Sequence, residues 1–463
     1  GNTKIFTGLM AEHAKNDNFD GVMEVKRRLG ELGLPLDAAG YGALVQVCAK
    51  RRQNAQVLKY YKQMLKENVV PNTMTYNQIM KIYSTQSDGD QKALALLDEM
   101  ESKDVTPDQV TFNLLIQATS QKRGDSDAQM PLILYRRMKK TLVSPNLFVF
   151  NSLISASSKT GSLALAELFL GELRAAGLRP DLFTYASLIA AATNAPGGGE
   201  PQAALRFYED METEGVEADE ITLFQMVRAL ALGGDAARAR AFLAKLEAHP
   251  RAGPQSVATG HRYLAVGMAL DGASTEEALE VWAGAADRGA EAESEDYAFA
   301  LRAAAEHGLY ELASELLSEL RNDGLESGPS YYEMVARACA RGGGAELALA
   351  WLEEMGDEGF YVTTALVDEV AAGCREAGDW ESAAALLDLV ETLRDDGLIR
   401  EEHAGAPAAW LADALVTCAD ARVYAPGMEI VQHVESNGVA LTTQGYNAIL
   451  RLLLLPGQQQ QQS

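Results

Sequence analysis

Cysteine is scarce in this 463-residue chain: four are present, and no two stand in a C-x-x-C arrangement. That spacing argues against both a zinc site and a disulfide framework. Six histidines, His13, His249, His261, His307, His403 and His433, are scattered without ligand spacing. No G-x-x-x-x-G-K-S/T loop occurs, so a phosphate cradle of that kind is excluded. The H-x-E and P-C-x-x-C pair of a zinc deaminase is missing as well. No run of 18 apolar residues exists, and Leu452 to Leu455 is a short patch inside a helical pattern, so a soluble chain with no membrane insertion is expected.

Positive charge is also in short supply, and its distribution matters more than its total. The formal net charge is -25, which taken alone argues against a nucleic-acid binder. Residues 1–150 nevertheless carry 20 Lys and Arg against 16 Asp and Glu, a balance of +4. The rest of the chain carries 20 against 49, a balance of -29. The two ends therefore cannot do the same job by electrostatics. Acidic runs such as Glu209-Asp210-Met211-Glu212 and Glu291-Ala292-Glu293-Ser294-Glu295-Asp296 read as solvated helix surface rather than as a metal-dependent nuclease, since no non-repeat domain is present to hold them.

What the chain has in abundance is periodicity. Phe6, Tyr41, Tyr76, Phe112, Phe150 and Tyr185 follow one another at spacings of 35, 35, 36, 38 and 35 residues. The register continues through Leu223, Ala258, Tyr297, Tyr332, Val367, Trp410 and Tyr446. A period of this length means stacked supersecondary units, each too small to bury its apolar stripe alone. The third unit runs from Thr73-Met74-Thr75-Tyr76-Asn77 through a turn near Gly89 to Leu96-Leu97-Asp98-Glu99-Met100, and closes on Thr106-Pro107-Asp108. That is two amphipathic helices joined by a tight turn, with Gly89 read as the turn residue and the second helix stopping before Pro107. The closure recurs at Pro71-Asn72, Pro145-Asn146 and Pro180-Asp181. Cys48, Cys339, Cys374 and Cys418 fall at or near the eleventh position of their units and are expected to be buried in first helices.

Val110-Thr111-Phe112-Asn113-Leu114-Leu115-Ile116, Asp98-Glu99-Met100 and Gly177-Leu178-Arg179-Pro180-Asp181 stand in register with one another. Together they resemble the pentatricopeptide repeat family, whose units begin V-T-Y-N-x-L-I, carry E-E-M in the second helix and close on G-x-x-P-D. The Trp, Leu-Gly and Tyr signature of the rival 34-residue tetratricopeptide repeat is not found. The resemblance implies an all-α fold, a right-handed superhelical solenoid of about twelve and a half helix-turn-helix repeats of about 35 residues. It implies a P-type protein of a green-lineage organelle, placed in the chloroplast stroma or alternatively the mitochondrial matrix. The chain opens inside a repeat without an Arg- and Ser-rich leader, and the expectation is that a transit segment has been removed.

Members of the family bind single-stranded RNA, one base per unit, through the fifth and the last residue of each unit. A splayed single strand exposes the Watson-Crick edge that a duplex hides, and Asn offers that edge both a donor and an acceptor. Carried over, Thr7 with Asp37 resembles the guanine pair, Asn77 with Asp108 and Asn151 with Asp181 the uracil pair, and Asn113 with Asn146 the pyrimidine pair. Gly42 with Asn72 departs from the code, so the implied target is G-N-U-Y-U. Second-position residues Met74, Val110, Phe148 and Phe183 are the candidate base-stacking platforms. Lys15, Lys50 and Lys159, at the thirteenth position, are the candidate phosphate contacts. Each group has a plainer reading: the asparagines as helix N-caps, the apolar residues as core, the lysines as a solvated rim.

The code fails from Ala186 onward, where the fifth positions become Ala186, Phe224, Thr259, Ala298, Glu333, Asp368 and Leu411. At the thirteenth, Asn194 and Glu376 replace lysine and only Arg341 keeps a cation. The expected organisation is code-like, RNA-reading repeats over 3–219, degenerate acidic repeats over 220–441, a half repeat over 442–457 and a polyglutamine tail over 458–463. The expected protein is non-catalytic and uses no cofactor. It protects, processes or activates a transcript by occupying it, while the acidic half takes a protein partner. The alternative expectation is a scaffold subunit of an organellar ribonucleoprotein.

Overall fold

A computed structural model of the chain describes residues 2–86, 88–120, 129–196, 199–285, 291–400, 409–437 and 441–454. The polyglutamine stretch Gln458 to Gln462, and Gly197 and Gly198, lie outside them. The chain divides into two compact units, Gly1–Ala195 with Ala203–Glu217, and Pro196–Gln202 with Ala218–Ser463.

The first unit is made of helix pairs. They are α1 (Asn2–Lys15) with α2 (Phe19–Glu31), α3 (Ala38–Lys50) with α4 (Asn54–Lys66), and α5 (Thr73–Tyr83) with α6 (Gly89–Ser102). They continue as α7 (Gln109–Thr119) with α8 (Met130–Lys140), α9 (Leu147–Lys159) with α10 (Leu163–Ala175), and α11 (Leu182–Thr193) with α12 (Pro201–Thr213). Helices α1, α3, α5, α7 and α9 each pack on their own partner and on the first helix of the next pair. A core built this way is shared between neighbours, which is why no pair stands alone.

The second unit repeats the plan. It holds α13 (Glu220–Leu232) with α14 (Ala236–Glu247), α15 (Pro254–Leu270) with α16 (Thr275–Ala283), and α17 (Ser294–His307) with α18 (Tyr310–Asn322). Then follow α19 (Pro329–Gly342) with α20 (Ala345–Asp357), α21 (Thr364–Ala377) with α22 (Trp380–Asp395), α23 (Ala409–Asp420) with α24 (Tyr424–Asn437), and a single α25 (Thr443–Leu453). First helices again pack in series from α13 to α25. Twelve pairs and one helix among the described residues match the twelve and a half repeats expected, and the fold is an all-α repeat solenoid. Among the described residues, a two-residue parallel pairing of Val362 with Ile399 and Thr363 with Arg400 is the departure from helix.

The closing residue of each code-like repeat starts the next one. Asp37, Asn72, Asp108, Asn146 and Asp181 have extended backbones, and their side chains accept from the amides of Gly40, Thr75, Thr111, Val149 and Thr184. This is the N-cap bond that satisfies an orphan donor of the first turn. Upstream, α10 ends with Gly177 at φ 74°, the left-handed position that stops a helix. Asn68, Asp104 and Leu142 take the same conformation at φ 55°, 55° and 57°.

Gly89 is not the turn residue that the sequence suggested. It opens α6 and lies against α5, where a Cβ would come within 1.9 Å of the Tyr83 carbonyl oxygen. Close approach of two backbones, not a left-handed dihedral, is what requires glycine there.

The fourth-position aromatics Tyr41, Tyr76, Phe112, Phe150 and Tyr185 are buried. Their hydroxyls are satisfied inside the stack: Tyr41 donates to Glu67 at 2.8 Å and Tyr76 to Glu99 at 2.9 Å, with Tyr61 donating to the same Glu99 at 2.7 Å. Burial works to raise the Glu99 carboxyl. Hydrogen bonds from Lys103, Tyr61 and Tyr76 outweigh it and hold the group below its ordinary value. Phe150 instead meets the rings of Tyr135, itself 5.4 Å from Phe169. All four cysteines are buried, on α3, α19, α21 and α23.

Candidate nucleic-acid interface

Residues 2, 5 and 13 of a repeat share one side of its first helix. At 100° per residue, the fifth lies about 60° and the thirteenth about 20° around the axis from the second. Met74, Val110, Phe148 and Phe183 are exposed on that side, Phe148 at 61% and Phe183 at 55%. These four are surface side chains, not core. Ile221 on α13 is exposed in the same second position and was missed in the sequence because the code had already lapsed there.

Asn77, Asn113 and Asn151 sit a full turn inside α5, α7 and α9, so the N-cap reading of them does not hold; the caps are the closing residues. Each asparagine is buried, with Asn77 8% exposed. Asn77 Nδ2 donates to Asp108 Oδ1 at 3.0 Å, and Asn151 Nδ2 to Asp181 at 3.0 Å. Thr7 Oγ1 donates to Asp37 Oδ2 at 3.1 Å. Three of the four expected pairs are thus brought together, each closing residue serving as cap and as partner at once.

The fourth pair is not. Asn146 donates to Gln109 Oε1 at 2.7 Å, and Asn113 Oδ1 accepts instead from Ser152 Oγ at 2.5 Å. Two amides compete poorly with a carboxylate for one another, because each must match donor to acceptor. At Gly42 a Cβ would meet Asn72 at 3.5 Å, an ordinary contact, so nothing prevents a side chain at that silent position.

Two threonines complete the paired sites. Thr111 Oγ1 lies 2.7 Å from Asn77 Oδ1 and Thr184 Oγ1 lies 2.6 Å from Asn151 Oδ1, each also bonded to the capping aspartate. Asp108 with Thr111 and Asp181 with Thr184 form capping boxes, and the reach of each hydroxyl into the preceding repeat was not foreseen from the sequence. Burial works to raise the Asp108 carboxyl. Hydrogen bonds from the Thr111 amide, Asn77 and the Thr111 hydroxyl prevail and keep it below its ordinary value, an ionised acceptor at neutral pH.

The cations are less uniform. Lys50 lies 3.6 Å from Asp17 and Lys15 4.0 Å from Glu12, while Lys159 is exposed and makes no ion pair among the described residues. Asn194 donates to the Ser158 carbonyl at 3.1 Å, which makes it a helix-to-helix strut.

In the second unit the equivalent positions carry other work. Phe224 packs on Tyr263 at 5.5 Å, and Tyr263 stands edge-on to Phe299 at 4.0 Å. Asp368 accepts from the Trp410 amide at 2.8 Å and its carboxyl is raised by burial. Arg341, the remaining cation, donates to the Ala305 carbonyl and lies 3.9 Å from Glu369. Phe224, at the end of this row of rings, and the capping carboxylate of Asp368 stand in the places that asparagine holds in the first unit.

A helical-repeat solenoid whose first, third and fifth repeats set an Asn or Thr against the closing Asp defines the class of protein. Residues 86–256 match the pentacotripeptide-repeat region of PRORP and residues 7–138 a pentatricopeptide repeat-containing protein family. The chain belongs to the pentatricopeptide repeat family. It is similar to a pentatricopeptide repeat-containing protein of Arabidopsis thaliana, 24% identical over 186 residues, which are 40% of this chain and 22% of that protein. It is also similar to small ribosomal subunit protein mL103 of the same plant, 20% identical over 209 residues, 45% of this chain and 49% of that protein. The chain thus spans less than half the length of these relatives. Further Arabidopsis relatives are named as chloroplastic and as mitochondrial proteins. Among solved structures, PPR10 in complex with an 18-nt psaJ RNA element superposes with a TM-score of 0.57 at 19% identity, over 93% of this chain and 59% of that one.

Proposed function

We propose that this protein is an organellar, P-type pentatricopeptide repeat protein that binds a short single-stranded RNA site and protects, processes or activates translation of that transcript. The observation that carries the reading is the closed fifth-to-closing contact in three repeats, Thr7–Asp37, Asn77–Asp108 and Asn151–Asp181, beside an exposed apolar row. The paired amides leave one N–H and one carbonyl lone pair for a base edge, and the exposed second-position residues, Met74 and Val110 beside Asn77 and Phe148 and Phe183 beside Asn151, offer it a stacking face. The target is G-N-U-Y-U, read by the repeats within 3–219, with Lys15, Lys50 and Lys159 on phosphate. Occupancy alone blocks exonucleases and competing RNA folds, so the role needs no active site and no cofactor. The repeats over 220–441 are structural or protein-binding, with residues 442–457 as the half repeat. The location is the chloroplast stroma, with the mitochondrial matrix as the alternative; relatives named for both organelles support an organellar setting.

A second reading, a scaffold subunit of an organellar ribonucleoprotein, is favoured by the likeness to mL103 and by the -29 balance of the acidic half. Salt dependence decides between them. With three lysine contacts, log affinity for a labelled single strand carrying G-N-U-Y-U falls against log salt with a slope near about -2, at roughly -0.7 per contact. Affinity for the matching duplex is much weaker. Equal affinity for strand and duplex contradicts the RNA-reading function and leaves the scaffold.

A further inference from the structure

The amide of a reading asparagine has two senses, and a half turn about its last bond exchanges donor and acceptor toward a base. At Asn77 both sides of the amide are specified. Nδ2 faces the Asp108 carboxylate, which can only accept, and Oδ1 faces the Thr111 hydroxyl at 2.7 Å. That hydroxyl oxygen accepts the Asp108 backbone N–H at 3.1 Å, and its single hydrogen lies between two acceptors, Asn77 Oδ1 and, at 2.9 Å, Asp108 Oδ1. Turning the amide over would set carbonyl oxygen against carboxylate and take the shorter of its two acceptors from the Thr111 hydroxyl, leaving it Asp108 Oδ1 alone. Asn151 repeats the arrangement, with Asp181 at 3.0 Å, Thr184 at 2.6 Å and the Asp181 N–H on Thr184 at 3.1 Å.

The Asn113 site lacks both restraints. Val149 stands where the threonine would be, Asn146 has turned to Gln109, and among the described residues it is the Ser152 hydroxyl that bonds the amide. A single serine hydroxyl donates or accepts equally well, so it sets no sense.

We propose that Thr111 and Thr184 are positioning residues: the third residue of each following repeat locks the amide sense of the preceding asparagine and so narrows which base that repeat accepts. By the same logic, the repeat carrying Asn113 reads loosely because valine replaces the threonine. The inference rests on the RNA-reading function proposed above and adds to it a residue outside the fifth and closing positions.

The test uses the full chain and four single strands that differ only at the nucleotide facing Asn77. Thr111→Val keeps the branched shape and removes the hydroxyl. The ratio of affinities between best and second-best base falls about three- to tenfold, the worth of one hydrogen bond. Thr111→Ser restores the ratio. Thr222→Val is the control: its hydroxyl is 2.7 Å from the capping Asp219, but the preceding repeat carries Ala186 at its fifth position, so the same capping loss leaves every base ratio unchanged. Val149→Thr is the gain variant and sharpens discrimination at the nucleotide facing Asn113. If Thr111→Val and Val149→Thr leave the ratios unchanged while Asn77→Ala abolishes discrimination, the positioning role is overturned and the reading function stands. If Asn77→Ala also changes nothing, both fall together.

Discussion

Replacing Phe148 and Phe183 by alanine together lowers affinity for single-stranded RNA by roughly 30-fold or more, with the base ratios largely kept. Both rings are exposed, on α9 and α11, in the second position of their repeats. Large aromatic surface left in water is costly unless it covers something. Base–aromatic stacking is worth about 1–3 kcal/mol per base, so two platforms account for about 2–6 kcal/mol. Stability should scarcely change, because neither side chain contributes to the buried core. Filter binding and a thermal melt on the same double variant separate the two effects. A variant that melts lower but binds RNA as before would return these residues to a packing role.

The second large effect belongs to the acidic unit. Arg262 on α15 and Asp296 on α17 form an ion pair at 2.8 Å with side-chain exposures of 3% and 8%. Arg262→Ala leaves the Asp296 carboxylate without this partner in a buried site, a loss of about 3–5 kcal/mol. The exposed pair Arg206–Glu167, at 3.0 Å but with exposures of 65% and 43%, is worth less than about 1 kcal/mol. Arg206→Ala is therefore close to silent. In a repeat array stability is a sum of local terms, so protection in hydrogen exchange drops around α15 to α19 and holds in α1 to α9. Uniform loss of protection along the chain would contradict this local account.

The repeat architecture was legible because its signals are local and recur: through the first five repeats an aromatic every 35 residues or so, and a Pro with an Asp or Asn at the close. Even with fifth positions as different as Glu333 and Leu411, the helix pairs persist, since they depend on the apolar stripe and not on the code. The candidate site was legible in part. Thr7–Asp37, Asn77–Asp108 and Asn151–Asp181 meet, but Asn113–Asn146 does not, because an amide at the close can turn to Gln109 where a carboxylate is drawn to the asparagine N–H. Thr111 and Thr184 were hidden in the repeat signature, where a threonine beside the aromatic reads as a helix-cap residue. Gly89 was misread because close backbone contact leaves no mark in a sequence that a turn does not also leave.

If each paired repeat reads one base through its fifth residue, a change of that residue changes one base of the bound sequence. The direct measurement is selection of bound sequences from a randomised single-stranded RNA pool with the full chain and with Asn77→Thr. Thr7 beside Asp37 already shows the hydroxyl-to-carboxylate geometry that this substitution would set beside Asp108. One position of the selected consensus is expected to change from uracil to guanine while its neighbours stay as they were. A consensus identical to the parent's at every position would contradict it, and Asn77 would then be only a strut between repeats.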